Sequence, residues 1–121
     1  MKHKLLDNIK RDLIIKLEKA GKKEKKGFLL GLAKALDVSS RNFASVNVYK
    51  LEKLSQKNKD KIFVVPGNVL GFGDLKSQIN VYAYRFSDAA LEKIKVAKGT
   101  AKNLYELIND KVEGKDVVIV K

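Results

Sequence analysis

The stretch INVYAYRFSDAALEKIKVAKG, residues 79–99, reads as a strand running straight into a helix. Over Ile79–Phe86, the row Ile79, Val81, Ala83 and Arg85 alternates with Asn80, Tyr82, Tyr84 and Phe86. Both rows hold apolar residues, so the strand is predicted to be covered on both faces. Ser87 is a good helix N-cap, and Asp88 places negative charge at the positive end of the helix dipole. Ala90, Leu91, Ile94 and Ala97 then face inward, and Gly99 is expected to end the helix.

Working outward, the same alternation of strand and helix continues. Thr100–Lys102 reads as a short link or strand, and Asn103 caps a helix through Asp110 that buries Leu104, Leu107 and Ile108. Gly114 breaks that helix before a final apolar strand, Val117–Val120. Upstream, Ile62–Val65 is a buried strand expected to stop at Pro66–Gly67. Val46–Val48 forms a short strand, Tyr49–Leu54 fits either a helical turn or an extended link, and Lys57–Asp60 is a polar turn. Strands interleaved with helices point to an α/β fold of irregular strand–helix layers.

The first part of the chain is helical instead. Leu5, Leu6, Ile9, Leu13, Leu17 and Ala20 recur at helical spacing, and Gly21 is placed to end that helix. GKKEKKG (residues 21–27) lacks any apolar residue and reads as an exposed basic loop. Phe28, Leu29, Leu32, Ala33, Ala35 and Leu36 form the stripe of a second helix, followed by a polar connector over Val38–Ser45. The organisation expected is one domain over residues 1–121, with a basic helical segment at 1–45 and an α/β layer at 46–121.

Charge points to the partner. Among 121 residues, 26 are Lys or Arg against 14 Asp or Glu, for a net charge of +12. Residues 1–60 hold 16 basic and 7 acidic side chains; residues 61–121 hold 10 and 7. A lopsided excess suits an oriented contact with a polyanion, although a lysine-rich compositional bias is an alternative source. Only Arg11, Arg41 and Arg85 are arginine, a balance that favours phosphate contacts over readout of base edges. The sequence contains no cysteine and one histidine, His3. Disulfides, thiolate metal sites and imidazole triads are thereby excluded. No apolar run reaches the roughly 20 residues of a membrane span, and MKHKLLDNIK has no signal-peptide core, so a cytoplasmic protein is expected.

PGNVLGFG spaces its glycines as G-x-x-x-G-x-G, which is neither dinucleotide fingerprint nor P-loop. The glycines are expected to supply positive backbone angles for a tight turn that brings bare amides close to a polyanion. Asp110, Glu113 and Asp116 imitate a hard-metal site, but Lys111 and Lys115 among them argue against one. Tyr82 and Tyr84 share a row that superficially resembles a base-stacking platform, whereas Phe86 in the same row favours core. Phe72, within the glycine loop, is the better exposed ring, or else a plug into the core. No catalytic residue and no cofactor or metal site emerges.

FVVPGNVLGFGDL (Phe63–Leu75) and YRFSDAALEKI (Tyr84–Ile94) resemble a large-subunit ribosomal protein family of archaea and eukaryotes, the one called eighteen-e, related to bacterial ribosomal protein fifteen. The family pattern V-V-P-G-K-V-L-G-x-G-x-L is matched from Val64 to Leu75, with Asn68 in place of lysine. A second signature fits Lys34, Leu36, Ser39, Ala44, Val46, Asn47, Val48, Lys50 and Leu51, with departures at Ser40 and Phe43. The resemblance covers nearly the whole chain. It implies an α/β protein assembled on large-subunit ribosomal RNA beside neighbouring ribosomal proteins, with no enzymatic activity, small-molecule substrate or cofactor. Arg41, Asn42, Asn47 and Lys50 become RNA-contact candidates, joined by Lys22, Lys23, Lys25 and Lys26 of the basic loop. Gly67, Asn68, Gly71 and Gly73 become loop-shaping positions. Two rivals from the residues alone are a free-standing RNA- or DNA-binding chaperone (or chromatin-like protein) and a small-molecule or nucleotide enzyme built on the glycine loop.

Overall fold

The computed structural model describes residues 2–39 and 42–121, with side chains from Ile9 onward. The expected inward side chains Leu5 and Leu6, and the RNA candidate Arg41, lie outside the described residues. The chain divides into two compact units, Met1–Phe43 and Ala44–Lys121.

The first unit is a helix pair, α1 (Lys2–Glu24) packed against α2 (Gly27–Leu36). Leu13 and Leu17 on α1 and Leu29, Leu32, Ala33 and Leu36 on α2 are buried. The helix expected to stop at Gly21 continues to Glu24, so most of the basic stretch is helical rather than looped. Lys25, at φ 55°, ends α1, and the Lys26 amide donates to the Gly21 carbonyl at 2.9 Å. That pairing is the left-handed helix stop usually given to glycine. Gly21 serves a different purpose: a Cβ there would lie 2.9 Å from the Leu30 side chain, so its absence lets the helices approach.

The second unit is a five-stranded, wholly parallel sheet with helices. Its elements are β1 (Ala44–Asn47), α3 (Val48–Lys57), β2 (Ile62–Leu70), β3 (Asn80–Phe86), α4 (Asp88–Val96), β4 (Thr100–Asn103), α5 (Leu104–Asn109) and β5 (Val117–Ile119). The order is β1-β2-β3-β4, and β5 also pairs with β2. Two short strands share one edge of β2, with β5 on Ile62–Val64 and β1 on Gly67–Leu70. The core gathers Val46, Val48, Leu51, Phe63, Val65, Val69, Ile79, Val81, Ala83, Ala90 and Val120. The α/β class expected from the sequence is therefore the class observed.

Local signals explain most boundaries. Ser87 Oγ accepts from the Ala90 amide at 3.1 Å, and Asn103 Oδ1 accepts from the Glu106 amide at 3.0 Å, so both expected caps form. The largest departure is β2, which does not stop at Pro66–Gly67. Its register against β3 shifts between Val65 and Asn68, and this bulge accommodates the proline's missing N–H. Gly67 and Asn68 consequently lie within a strand, not a loop. Gly67 faces Ala44, whose carbonyl oxygen would collide with an added Cβ, so β1 can pair only against a glycine.

Candidate nucleic-acid interface

Extending β2 changes the segment that follows it. β3 starts level with Ile62, at the far end of β2, so residues 71–79 must carry the chain back along the strand. At about 3.3 Å per residue that return is roughly 26 Å, which leaves a helix-free segment of this length little slack. The loop is fastened along its course. Lys93 Nζ donates to the carbonyls of Gly71 and Gly73, each at 2.6 Å. Glu52 accepts from the Lys76 amide at 2.6 Å, the Ser77 amide at 2.9 Å and the Ser77 hydroxyl. The Ser77 hydroxyl, with the Lys76 and Ser77 amides, holds the Glu52 carboxyl below the ordinary glutamate range.

The glycines of this loop act by closeness more than by turn angle. Gly73 alone among Gly67, Gly71 and Gly73 has positive φ, at 96°, and a Cβ there would collide with Tyr49 Cβ. At Gly71 an added Cβ would lie 2.5 Å from Ala89 Cβ. The expected cradle of bare amides gives way to a different geometry, in which the Gly71 and Gly73 carbonyls close on an ammonium of the same chain. Phe72 between them points outward and is 73% exposed.

The loop also caps α3. The Phe72 carbonyl accepts from the Tyr49 amide at 3.2 Å, the position a cap side chain would fill. Asn47 stands at the N-cap of α3 but makes no side-chain cap bond. Its half-buried amide therefore remains available for a contact outside the helix. Beside it, register places Ser45, Asn68 and Arg85 in one polar row across β1, β2 and β3. This row lies toward the carboxyl ends of the strands, where open parallel sheets bind their ligands. Lys50, on the first turn of α3, is exposed and donates to the Lys121 carbonyl at 2.8 Å.

The remaining candidates belong to the helical unit. Lys22, Lys23 and Lys25 are exposed at the end of α1, where cations also suit the helix dipole. Lys26 is only 12% exposed and pairs with Glu24 at 3.5 Å. Asn42 is exposed. Tyr82 is buried, and its hydroxyl donates to Asp110 at 2.6 Å, so it is no stacking surface. Burial, followed by the Asp110 carboxylate, pushes the Tyr82 hydroxyl upward, while Tyr82 and then Lys102 lower Asp110. Among the described residues no group of His, Asp or Glu is arranged to hold a metal ion, and no helix is long and apolar enough to cross a membrane.

Sequence reasoning missed Glu52 and Lys93, the two fasteners of the loop. Lys93 left a trace, since it falls on the inward stripe of α4 between Ala90 and Ala97. Glu52 left none, because its partners lie 24 and 25 positions away.

Comparison with known proteins supplies the kinship. A family model for ribosomal proteins, described as joining "50S-L15" and "50S-L18e" with a 60S counterpart, matches residues 45–102. The chain is 36% identical to the large ribosomal subunit protein eL18 of Sulfolobus acidocaldarius, covering 90% of this chain and 92% of that protein. It is 32% identical to the protein of the same name from Methanoregula boonei, covering 91% and 89% respectively. The Picrophilus torridus protein of that name is 30% identical, with 98% and 95% covered. With such identity sustained across both units, the chain belongs to the family of large ribosomal subunit proteins eL18.

Proposed function

We propose that this chain is a structural constituent of the large ribosomal subunit, which binds and stabilises folded ribosomal RNA through its lysine-rich surface. The observation that carries the reading is the match along nine-tenths of the chain to proteins named for that subunit. A ribosomal protein family of this kind is structural and not enzymatic. Exposed Lys22, Lys23 and Lys25 supply the physical means, because each phosphate they neutralise releases condensed counterions. The polar row Ser45–Asn68–Arg85, with Asn47 and Lys50 nearby, supplies a second, fixed contact surface on the α/β unit. Neighbouring ribosomal proteins are the further partners, and the ribosome in the cytoplasm is the location.

Two measurements test this. If roughly six phosphates are neutralised, affinity for large-subunit RNA falls by about three orders of magnitude between about 50 and 200 mM salt. Tagged protein expressed in an archaeal cell is expected to sediment with large subunits and stay there through a high-salt wash. Affinity indifferent to salt would remove the electrostatic mechanism. Loss from the particles in the wash would favour a free-standing chaperone.

A further inference from the structure

Phe72 is exposed in an unusual setting. Its loop has an ammonium on two carbonyls, a carboxylate on two amides and a backbone bond to Tyr49, each of them 3.2 Å long or shorter. A single exposed apolar side chain is ordinary on a protein surface. A ring whose backbone is tied on both sides is another matter, because the ordering cost of binding has been met during folding.

The surroundings select the occupant. Lys53 on α3 and Lys76 in the loop itself are exposed, whereas the Lys50 ammonium is held on the Lys121 carbonyl at 2.8 Å. Acidic groups are also close in the chain: Glu52 is occupied with the loop, while Asp74 and Glu92 are exposed. Tyr49, the other ring here, already carries the Lys53 ammonium 4.9 Å from its centroid. Phe72 therefore offers an open ring next to the Tyr49–Lys53 pair, since its carbonyl accepts from the Tyr49 amide, and a ring beside a cation is the combination that single-stranded nucleotides favour. The family pattern given above leaves residue 72 unspecified, so this concerns the present chain and not the pattern.

Resting on the proposed function, we infer that Phe72 is a stacking platform for an unpaired base of large-subunit ribosomal RNA, with Glu52 and Lys93 as positioning residues that hold its loop. The base lies on the phenyl ring, and its flanking phosphates are met by Lys53 and Lys76.

The chain has no tryptophan, so Phe72→Trp installs a single fluorescent reporter at this position. The probe is deproteinised large-subunit RNA from Sulfolobus acidocaldarius. The indole emission is expected to be quenched on binding. Phe72→Ala is expected to bind about tenfold more weakly with an unchanged salt slope, and Phe72→Trp to restore affinity. Because the side chain is exposed, unaltered circular dichroism and melting should accompany both variants. Wild-type protein that fails to bind this RNA would sink the proposed function itself. Wild-type binding with no quenching, or with Phe72→Ala equal to wild type, would overturn only the stacking. Quenching seen in assembled subunits but not on bare RNA would assign the ring to a neighbouring protein and equally overturn it.

Discussion

The helical unit Met1–Phe43 has twelve basic and five acidic residues, a net of +7, while the larger Ala44–Lys121 has fourteen and nine, a net of +5. Both regions hold exposed lysines and lysines that fasten distant segments, in different places. At the end of α1, Lys22, Lys23 and Lys25 stand in solvent, and Lys25 is itself the helix stop. In the α/β unit, lysines fasten distant segments: Lys93 to the Gly71–Gly73 loop, Lys61 to the Lys115 carbonyl, and Lys102 to Asp110. The helical unit has its own fastened lysines, Lys10 on the Val38 carbonyl at 2.8 Å and Lys26 beside Glu24, so a lysine total overstates the charges available to a polyanion in both units. Glycine, by contrast, divides by unit. It lets a side chain through in the helix pair and a backbone through in the sheet.

The glycine contrast gives the largest expected effect. Gly67→Ala drives a methyl into the Ala44 carbonyl oxygen, and neither strand can yield without losing its pairing. A loss of about 4 kcal/mol is expected, at the upper end for single substitutions. Gly21→Ala meets the Leu30 side chain (Cγ and Cδ2, each at 2.9 Å) and the Lys26 carbonyl at 3.2 Å, and gains helix propensity. Its net effect should stay within about 1 kcal/mol. Urea denaturation of both variants checks the pair; equal losses would erase the distinction drawn between the two units.

How much of this was legible beforehand follows from the range of the signals. Ser87 and Asn103 announced their helices because a cap acts over three residues. The inward stripes of α2 and β3 were likewise readable, since periodicity is local. Pro66–Gly67 misled because proline and glycine ordinarily punctuate a strand; here a bulge takes the proline, and β1 requires the glycine. With β2 ending at Pro66–Gly67, residues 71–79 read as a turn with no length to fasten, and only the longer strand gives Glu52 and Lys93 their partners. At Gly21 the same habit ended a helix too early, because Lys25 does the stopping. Asn47, Lys50 and the polar row are near one another only through strand register, which no local pattern encodes.

The next effect concerns the fastened loop. Glu52→Gln removes the negative charge that accepts from Lys76 and Ser77, and about 2 kcal/mol should be lost at pH 7. The Glu52 carboxyl has a lower pKa folded than unfolded. Its contribution is therefore complete above the ordinary glutamate range and vanishes as pH falls through the folded value. The gap between wild type and variant should close in acid, as read by urea midpoints from about pH 7 down to about pH 3. A gap that holds constant would mean that the carboxylate's charge is irrelevant to the loop.

A smaller effect probes the helical unit's charge. The triple variant Lys22→Gln, Lys23→Gln, Lys25→Gln should lower the salt slope of RNA binding by about 2 and affinity by about tenfold. Melting should hardly move, since these side chains are in solvent. Lys26→Gln should do less to binding and more to stability, because Lys26 is mostly buried against Glu24. A matched change in both measurements for all four lysines would contradict the division between fastening and exposed cations.

The smallest effect asks whether the helical unit melts as a body of its own. Gly31 lies inside α2, exposed, with nothing within 4 Å of an added Cβ. Alanine costs less backbone entropy there, so Gly31→Ala should stabilise α2 by about 0.5–1 kcal/mol. For a small cooperative unit that amounts to a rise of about 2–8 °C. Scanning calorimetry should show the rise in a transition that Glu52→Gln leaves in place, because the two substitutions fall in different units. If instead one transition shifts with both, folding is cooperative across the boundary at Phe43–Ala44, and the cations at the end of α1 are positioned by the stability of the sheet as well as by their own helix pair.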